Sequence, residues 1–185
     1  VNHIVQIISI GEVVIEKKIV PADSKAIRHA FSQFPSGVAV LSAERDGIKH
    51  ALVVSSFMVG VSLAPTLVAV AVQKSSGTWT ALSGATSLGV SIFGRGQGDL
   101  TRQLAGKDRA TRFEQVAVET RENGAIFIDG AALWLECSIY RVDDVGDHWL
   151  ILLEVSRLGV GEAEPLIWHR SRFRELAATG SIAVS

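Results

Sequence analysis

Lys74-Ser75-Ser76-Gly77-Thr78 puts a cation, three hydroxyls and a glycine into five consecutive residues. They follow the apolar run TLVAVAVQ (66–73) and precede a short helical pattern. Unpaired N–H groups and the helix dipole favour an anion at such a junction. The same residues also suit an N-cap and a plain turn, and both readings stay open. A second group, VVSSF (53–57), ends an apolar strand on two serines. Buried hydroxyls need partners, either backbone groups of the next turn or the polar edge of a flat heterocycle. A third is His148 in VDDVGDHWLILLEV (142–155), where acids and a glycine interrupt an apolar segment. Its imidazole suits ligand contact or proton carriage, although a histidine beside a turn is ordinarily just solvated.

Other chemistries fit less well. There is no G-x-S-x-G elbow for a serine nucleophile. Asp147 and His148 are neighbours, and in a strand adjacent side chains face opposite ways, which disfavours one orienting the other. The histidines (3, 29, 50, 148, 169) do not pair with Cys137 or with one another at ligand spacing, so a dedicated metal site is not expected. GRGQGD (94–99) spaces its glycines as G-x-G-x-G, not as the dinucleotide G-x-G-x-x-G, and is read as a strand-to-helix turn. Cys137, within WLECSIY, reads as a small core residue. AGKDRATRFE (105–114) carries a net charge of about +1 and reads as solvated surface.

The elements that must position these groups are mostly strands. The chain has 185 residues, 48% of them hydrophobic, with a formal charge of -1. That suggests one globular domain with a substantial core and no general attraction to nucleic acid or an anionic membrane. No apolar run nears the roughly 18 residues of a membrane span, and the first twenty lack the order of a secretion signal. A single cysteine fits a reducing cytoplasm.

Residues 4–20 read as one or two strands. Pro21 and Asp23 then open a helix whose apolar face is Ile27, Ala30, Phe31 and Phe34. GVAVLSA and HALVVSSF form a hairpin about Asp46-Gly47. TLVAVAVQ and SLGVSIF read as strands, with short helices at 78–82 and 100–105. AIFI, AALWLECSIYRV and HWLILLEVSRLGV follow, the last two joined by a turn from Asp143 to Asp147. The tail EPLIWHRSRFREL is basic and aromatic. Neighbouring strands with tight turns indicate an antiparallel barrel or sandwich.

Six stretches occur in order: FSQFPSGVAVLSAERDG, VSSFMVGVSLAPTLVAVAVQKSSGTW, LGVSIFGRGQGDLTRQLAG, Arg112-Phe113, Gly146–His148 and PLIWHRSRF. Together they resemble the flavin reductase family, the short NAD(P)H:flavin oxidoreductases that partner two-component monooxygenases. The resemblance covers about Ile27 to Leu176. It implies a mainly β fold, a Greek-key split β-barrel of the FMN-binding type with a few short helices, usually a homodimer with flavin near the subunit interface. The expected organisation is a β extension (1–20), the reductase-like domain (21–176) and a tail (177–185).

The resemblance further implies FMN or FAD as flavin and NADH or NADPH as donor. Val54, Ser55, Ser56 and Phe57 would lie beside the isoalloxazine. Lys74, Ser75, Ser76 and Thr78 would hold the phosphate. Arg112 and Phe113 would close over the flavin, and His148 would lie near the nicotinamide, positioning it or delivering a proton. Departures are Val53 and Val54 where Thr or Asn is common, Ser91 where Asn is common, Ala64-Pro65-Thr66 for Asp-Pro-Pro, and Trp168 and Phe173 for tyrosines. The expected activity is hydride transfer to flavin for a separate monooxygenase component, in the cytoplasm, with no nucleic-acid or membrane partner. The alternative is a flavin- or haem-binding split barrel without turnover.

Overall fold

A computed structural model describes residues 8–10, 13–15 and 23–176. The chain divides into two compact units, residues 1–34 and 35–185. In the first, β1 (Ile8–Ile10) pairs antiparallel with β2 (Val13–Ile15). Helix α1 (Ser24–Ser32) starts at Asp23, whose carboxylate accepts from the backbone N–H of Lys25 and Ala26. This is the expected N-cap. Phe34 lies beyond the last turn, and Pro21 lies outside the described residues.

The second unit is built on seven antiparallel strands. In chain order they are β4 (Ala39–Arg45), β5 (Ile48–Val54), β6 (Met58–Leu63), β7 (Thr66–Gln73), β8 (Leu88–Ile92), β11 (Leu133–Val145) and β12 (His148–Val160). Their order across the sheet is β5-β4-β8-β11-β12-β7-β6. The two edge strands, β5 and β6, are consecutive in sequence and joined only by Ser55–Phe57. Four Cα steps span about 14 Å at most, so the sheet must roll until its edges nearly meet. It does not close, and the fold is the split barrel expected from the sequence.

Two short sheets complete the unit. β9 (Val118–Thr120) pairs with β10 (Ile126–Ile128). β13 (Ile167–His169) pairs with both β3 (Ser36–Gly37) and β14 (Arg172–Arg174). Helices α2 (Gly77–Leu82) and α3 (Gly98–Leu104) are short, and neither would be stable alone. α2 is held by burying Trp79 and Leu82.

The alternation of β4 divides the core. Leu41 joins Val70, Val90, Leu88, Leu135, Ile151 and Leu153 in one cluster, with Trp79 and Leu82 of α2. Val40 joins Val38, Phe93, Leu104, Ile128 and Leu166 in another. β10 is stitched to the sheet by buried hydroxyls. Ser42 donates to the Ile126 carbonyl at 2.9 Å, and Ser91 accepts from the Ile128 N–H at 3.0 Å. The strand crosses so closely at Gly89 that a Cβ there would overlap the Ile126 carbonyl.

Asp46 and Gly47 both have positive φ (53° and 75°), the I′ geometry that the hairpin signal implies. The other hairpin turn is tighter than its sequence suggests. β11 runs through Asp143 and Asp144 to Val145, and the turn is Gly146-Asp147 alone. Backbone pairing with β12 holds these acids in the ladder, where Asp144 is exposed and the half-buried Asp143 accepts from Arg141 Nε at 2.9 Å. In GRGQGD, the Gln97 side chain accepts from Gly94 N–H and donates to the Asp129 carbonyl, each at 2.8 Å. Cys137 is buried, and burial with nearby Glu136 pushes its thiol up to about 12.

Candidate active site

The C-terminal end of β7 gathers most of the residues singled out by sequence. β7 pairs with β12 through Gln73↔His148, and Lys74 N–H donates to the Asp147 carbonyl at 3.0 Å. The lysine-serine loop and the histidine turn are therefore bonded neighbours. Ser56 lies on the strap between the edge strands, and its hydroxyl donates to the Ala71 carbonyl of β7 at 2.7 Å. Ser55 and Ser56 are exposed rather than buried. Val54 and Phe57 flank them and pack against the cluster that contains Trp79.

His148 is not left to solvent alone. Its Nδ1 is 2.7 Å from the Asp147 carboxylate. Alternation in a strand forbids such a contact between neighbours, but Asp147 belongs to the turn, so alternation does not apply. The hydrogen bond and charge of His148 hold the Asp147 carboxyl below its usual range. A carboxylate can only accept, so Nδ1 carries the proton, and Nε2 is the ring nitrogen without a hydrogen bond among the described residues.

The KSSGT loop divides into two parts. Lys74 turns toward the hairpin, its ammonium 2.6 Å from Asp144 and 5.1 Å from the centroid of the Trp149 ring. Ser76 caps α2, its hydroxyl accepting from Trp79 N–H at 3.2 Å. Ser75 is exposed and Thr78 is buried. Arg112 crosses to Thr78 from the charged loop. It donates to the carbonyls of Gly106 (2.8 Å) and Ala51 (2.7 Å) and to the Thr78 hydroxyl (3.3 Å). Phe113 packs its ring against the second core cluster, which contains Ala51, and so anchors the loop.

Two residues absent from the sequence expectations join this group. Arg109 rests on Gly77, where a Cβ would stand 2.7 Å from Nη2 of the guanidinium. His50, beside Ala51 on β5, is held below its usual value by burial and then by Arg109, Arg45 and Arg112. In sequence Arg109 was one charge in a run near neutrality. The contact with Gly77 spans 32 positions of chain and leaves no local signal.

A cavity of about 410 Å³ lies elsewhere, lined by Phe127, Trp134, Glu136 and Arg157 among others, at the opposite end of the β11–β12 hairpin from His148. None of the expected site residues lines it. The concentration of polar groups and cations at β7 makes that end the candidate site.

Comparison with known proteins agrees with this placement of the fold. The family model described as "Flavin reductase like domain" matches residues 31–177. A flavin reductase of Pseudomonas putida is 30% identical over 158 residues, covering 84% of this chain and 92% of that protein. The reductase component of a Rhodococcus opacus 4-nitrophenol monooxygenase is 30% identical over 155 residues, covering 83% and 81%. Among solved structures, the NADH:FAD oxidoreductase SgcE6 of Streptomyces globisporus, in complex with NAD and FAD fragments, superposes with a TM-score of 0.82. It is 30% identical and covers 89% of this chain and 99% of its own. A split barrel, an ordered set of polar stations at one end of it and a family match over most of its length agree, and the chain belongs to the flavin reductase like domain family.

Proposed function

We propose that this protein is an NAD(P)H:flavin oxidoreductase, transferring a hydride from NADH or NADPH to FMN or FAD and supplying reduced flavin to a separate monooxygenase component. The observation that carries the reading is the meeting of Ser55–Phe57, Ser75–Thr78 and Gly146–His148 at one end of β7. Relatives named as reductase components of monooxygenases support the partner class.

The residues present fit a flavin in order along the site. Val54 and Phe57 offer apolar surface, Ser55 and Ser56 exposed hydroxyls, and Thr78 with Arg112 a cationic, hydrogen-bonding end. When bound, flavin and nicotinamide supply the hydride chemistry themselves, and the protein supplies position and exclusion of water. Asp147 keeps the His148 ring in one orientation, with Nε2 free to meet the nicotinamide amide or hold a proton. Lys74 ties the loop to the hairpin that carries His148.

The test is absorbance at the reduced nicotinamide band with free FMN and then free FAD. Catalytic oxidation supports the reductase. A stoichiometric yellow protein without turnover would instead support a binding module. His148→Ala with unchanged kcat and unchanged KM for the nicotinamide would remove His148 from the reaction.

The functional form is a homodimer. β6 is an edge strand bearing Met58, Val59, Val61 and Leu63, all exposed, with Leu63 at 87%. Exposed apolar edges of this kind are ordinarily covered. Light scattering should give twice the chain mass, and Leu63→Lys should shift it toward the single chain. A wild-type monomer at micromolar concentration would refute the dimer. No helix among the described residues is long and apolar enough to cross a membrane. The lone buried thiol fits a reducing cytoplasm.

A further inference from the structure

The cavity of about 410 Å³ at the far end of the β11–β12 hairpin takes no part in the site at β7. Strand alternation builds its walls. Leu135 and Cys137 of β11 face the first core cluster, so Trp134 and Glu136 share the opposite face. Phe127 of β10, between the buried Ile126 and Ile128, lines the same space. Trp134 donates from Nε1 to the Ile128 carbonyl at 2.7 Å, which fixes the plane of the indole. Its partner across the hairpin is Gly159, which adds no side chain to the cavity.

Glu136 is the residue on that face that packing does not explain. Its side chain is only 8% exposed, and a carboxylate so withdrawn from water needs its oxygens bonded. Oε1 accepts from Asn123 Nδ2 at 2.8 Å. Oε2 has the Arg157 guanidinium at 3.6 Å, beyond hydrogen-bond reach, and Arg157 itself is largely exposed. Among the described residues Oε2 accepts no hydrogen bond. The hairpin register shifts directly after Glu136, and the Ser156 hydroxyl there donates to the Glu136 carbonyl at 3.1 Å. Bulges of this kind re-aim the side chains beside them.

The charges around the cavity are Glu119, Asp129 and Glu136 against Arg121 and Arg157, one more negative than positive. Glu119 is answered by Arg121 at 3.0 Å, and that guanidinium also lies 5.8 Å from the centroid of the Phe127 ring. Asp129 has no ion pair among the described residues. A ligand that completes this site brings positive charge, an N–H for Oε2 and an apolar body for the two aromatic rings. The volume lies in the roughly 300–1,000 Å³ range of small-molecule sites. We propose that the cavity binds a small organic cation, a primary amine or guanidine, with its N–H on Oε2 of Glu136 and its body against Trp134 and Phe127. Arg157 competes with that cation for the same oxygen. The site uses neither flavin nor nicotinamide, so the proposal stands apart from the reductase reading.

The test is calorimetric titration of the full chain with 2-phenylethylamine and agmatine. Phenylacetate and 2-phenylethanol serve as anionic and neutral controls of similar shape. A trimethylated 2-phenylethylammonium keeps the charge but has no N–H to give. The amines should bind wild type saturably, and the trimethylated probe about tenfold more weakly than 2-phenylethylamine, as expected for one charge-assisted hydrogen bond. Glu136→Gln keeps the side-chain shape and should weaken both amines about tenfold. Arg157→Ala removes the competing cation from an exposed position and should tighten them about two- to fivefold. Thermal melts check that each variant is folded.

The proposal is overturned if neither amine binds wild type saturably up to about 10 mM. It is equally overturned if phenylacetate or 2-phenylethanol binds as tightly as 2-phenylethylamine, which would leave an apolar hollow without recognition of charge. A trimethylated probe that binds as well as the amine removes the hydrogen bond to Oε2, and with it the proposal. Arg157→Ala that binds the amines no more tightly than wild type also overturns it, since the two cations would then not share an oxygen. If Glu136→Gln does not fold, the trimethylated probe and Arg157→Ala decide the question.

Discussion

Replacing Arg112 by Met should detach the charged loop from the barrel. The guanidinium makes two short bonds to backbone carbonyls, at 2.8 Å to Gly106 and 2.7 Å to Ala51, and a longer one of 3.3 Å to Thr78. A hydrogen bond from a charged donor contributes about 1.5–3 kcal/mol. Arg112 is half-buried, so the lower figure applies to each short bond and the long one adds little. Methionine keeps much of the apolar stem but leaves the buried Ala51 without this donor to its carbonyl. The expected loss is about 3 kcal/mol. For a chain of this size that lowers Tm by about 6–12 °C. A circular dichroism melt measures it, and limited trypsin digestion should show faster cleavage at Lys107 and Arg109. Arg112→Lys should recover only part, because one ammonium cannot serve acceptors on three segments as a planar fork does. A Tm drop under about 2 °C with unchanged digestion would refute the anchoring role.

Three further outcomes concern Gly89, Cys137 and His50. Gly89→Ala should cost about 3 kcal/mol in urea unfolding, the upper end of overpacking, because the new methyl meets a backbone carbonyl that cannot swing aside. Cys137, pushed from an ordinary 9.0 up to about 12, should have a thiolate population about a thousandfold lower than a free cysteine. It should resist a thiol reagent at pH 8 until the protein is unfolded, and rapid native labelling would contradict the burial. His50 lies below its usual value in the folded protein, so the unfolded chain binds its proton more readily. Stability should therefore fall as pH drops through about 6.5, and His50→Gln should flatten that decline between pH 7.5 and 5.5 in thermal melts. Parallel curves for the two proteins would show that burial and the neighbouring arginines do not hold His50 below its usual value.

Features set by neighbours along the chain were legible in the sequence. Asp46-Gly47 announces its hairpin because glycine and aspartate tolerate the backbone geometry required. Asp23 announces α1 by local capping. The apolar runs of β4, β5, β7, β8, β11 and β12 are visible because most are buried on at least one face. β6 was not legible as a strand. Its residues are mostly exposed, and its pairing with β7 slips between Met58 and Ser62, so neither alternation nor burial marks it. β9, three residues long, offers too short a pattern. The candidate site divides the same way. Lys74–Thr78 and His148 stood out by type and position, whereas the Arg109–Gly77 contact exists only once the loop folds back. The Asp147–His148 pair was misjudged because it depends on where the strand stops, a boundary that alternation alone does not set.

The strap Ser55–Phe57 has a consequence for how the site is sized. It ties the first and last strands of the sheet, and Ser56 fastens it again to β7. The aperture between those strands is thus set by a counted length of chain and by one hydroxyl, like a link in a bracelet. Chain length is inherited residue by residue, whereas side-chain packing drifts continuously. An insertion of one residue would change the opening in a single step of about 3.5 Å. Along a lineage, the ring systems admitted would then change by discrete jumps rather than by gradual loosening.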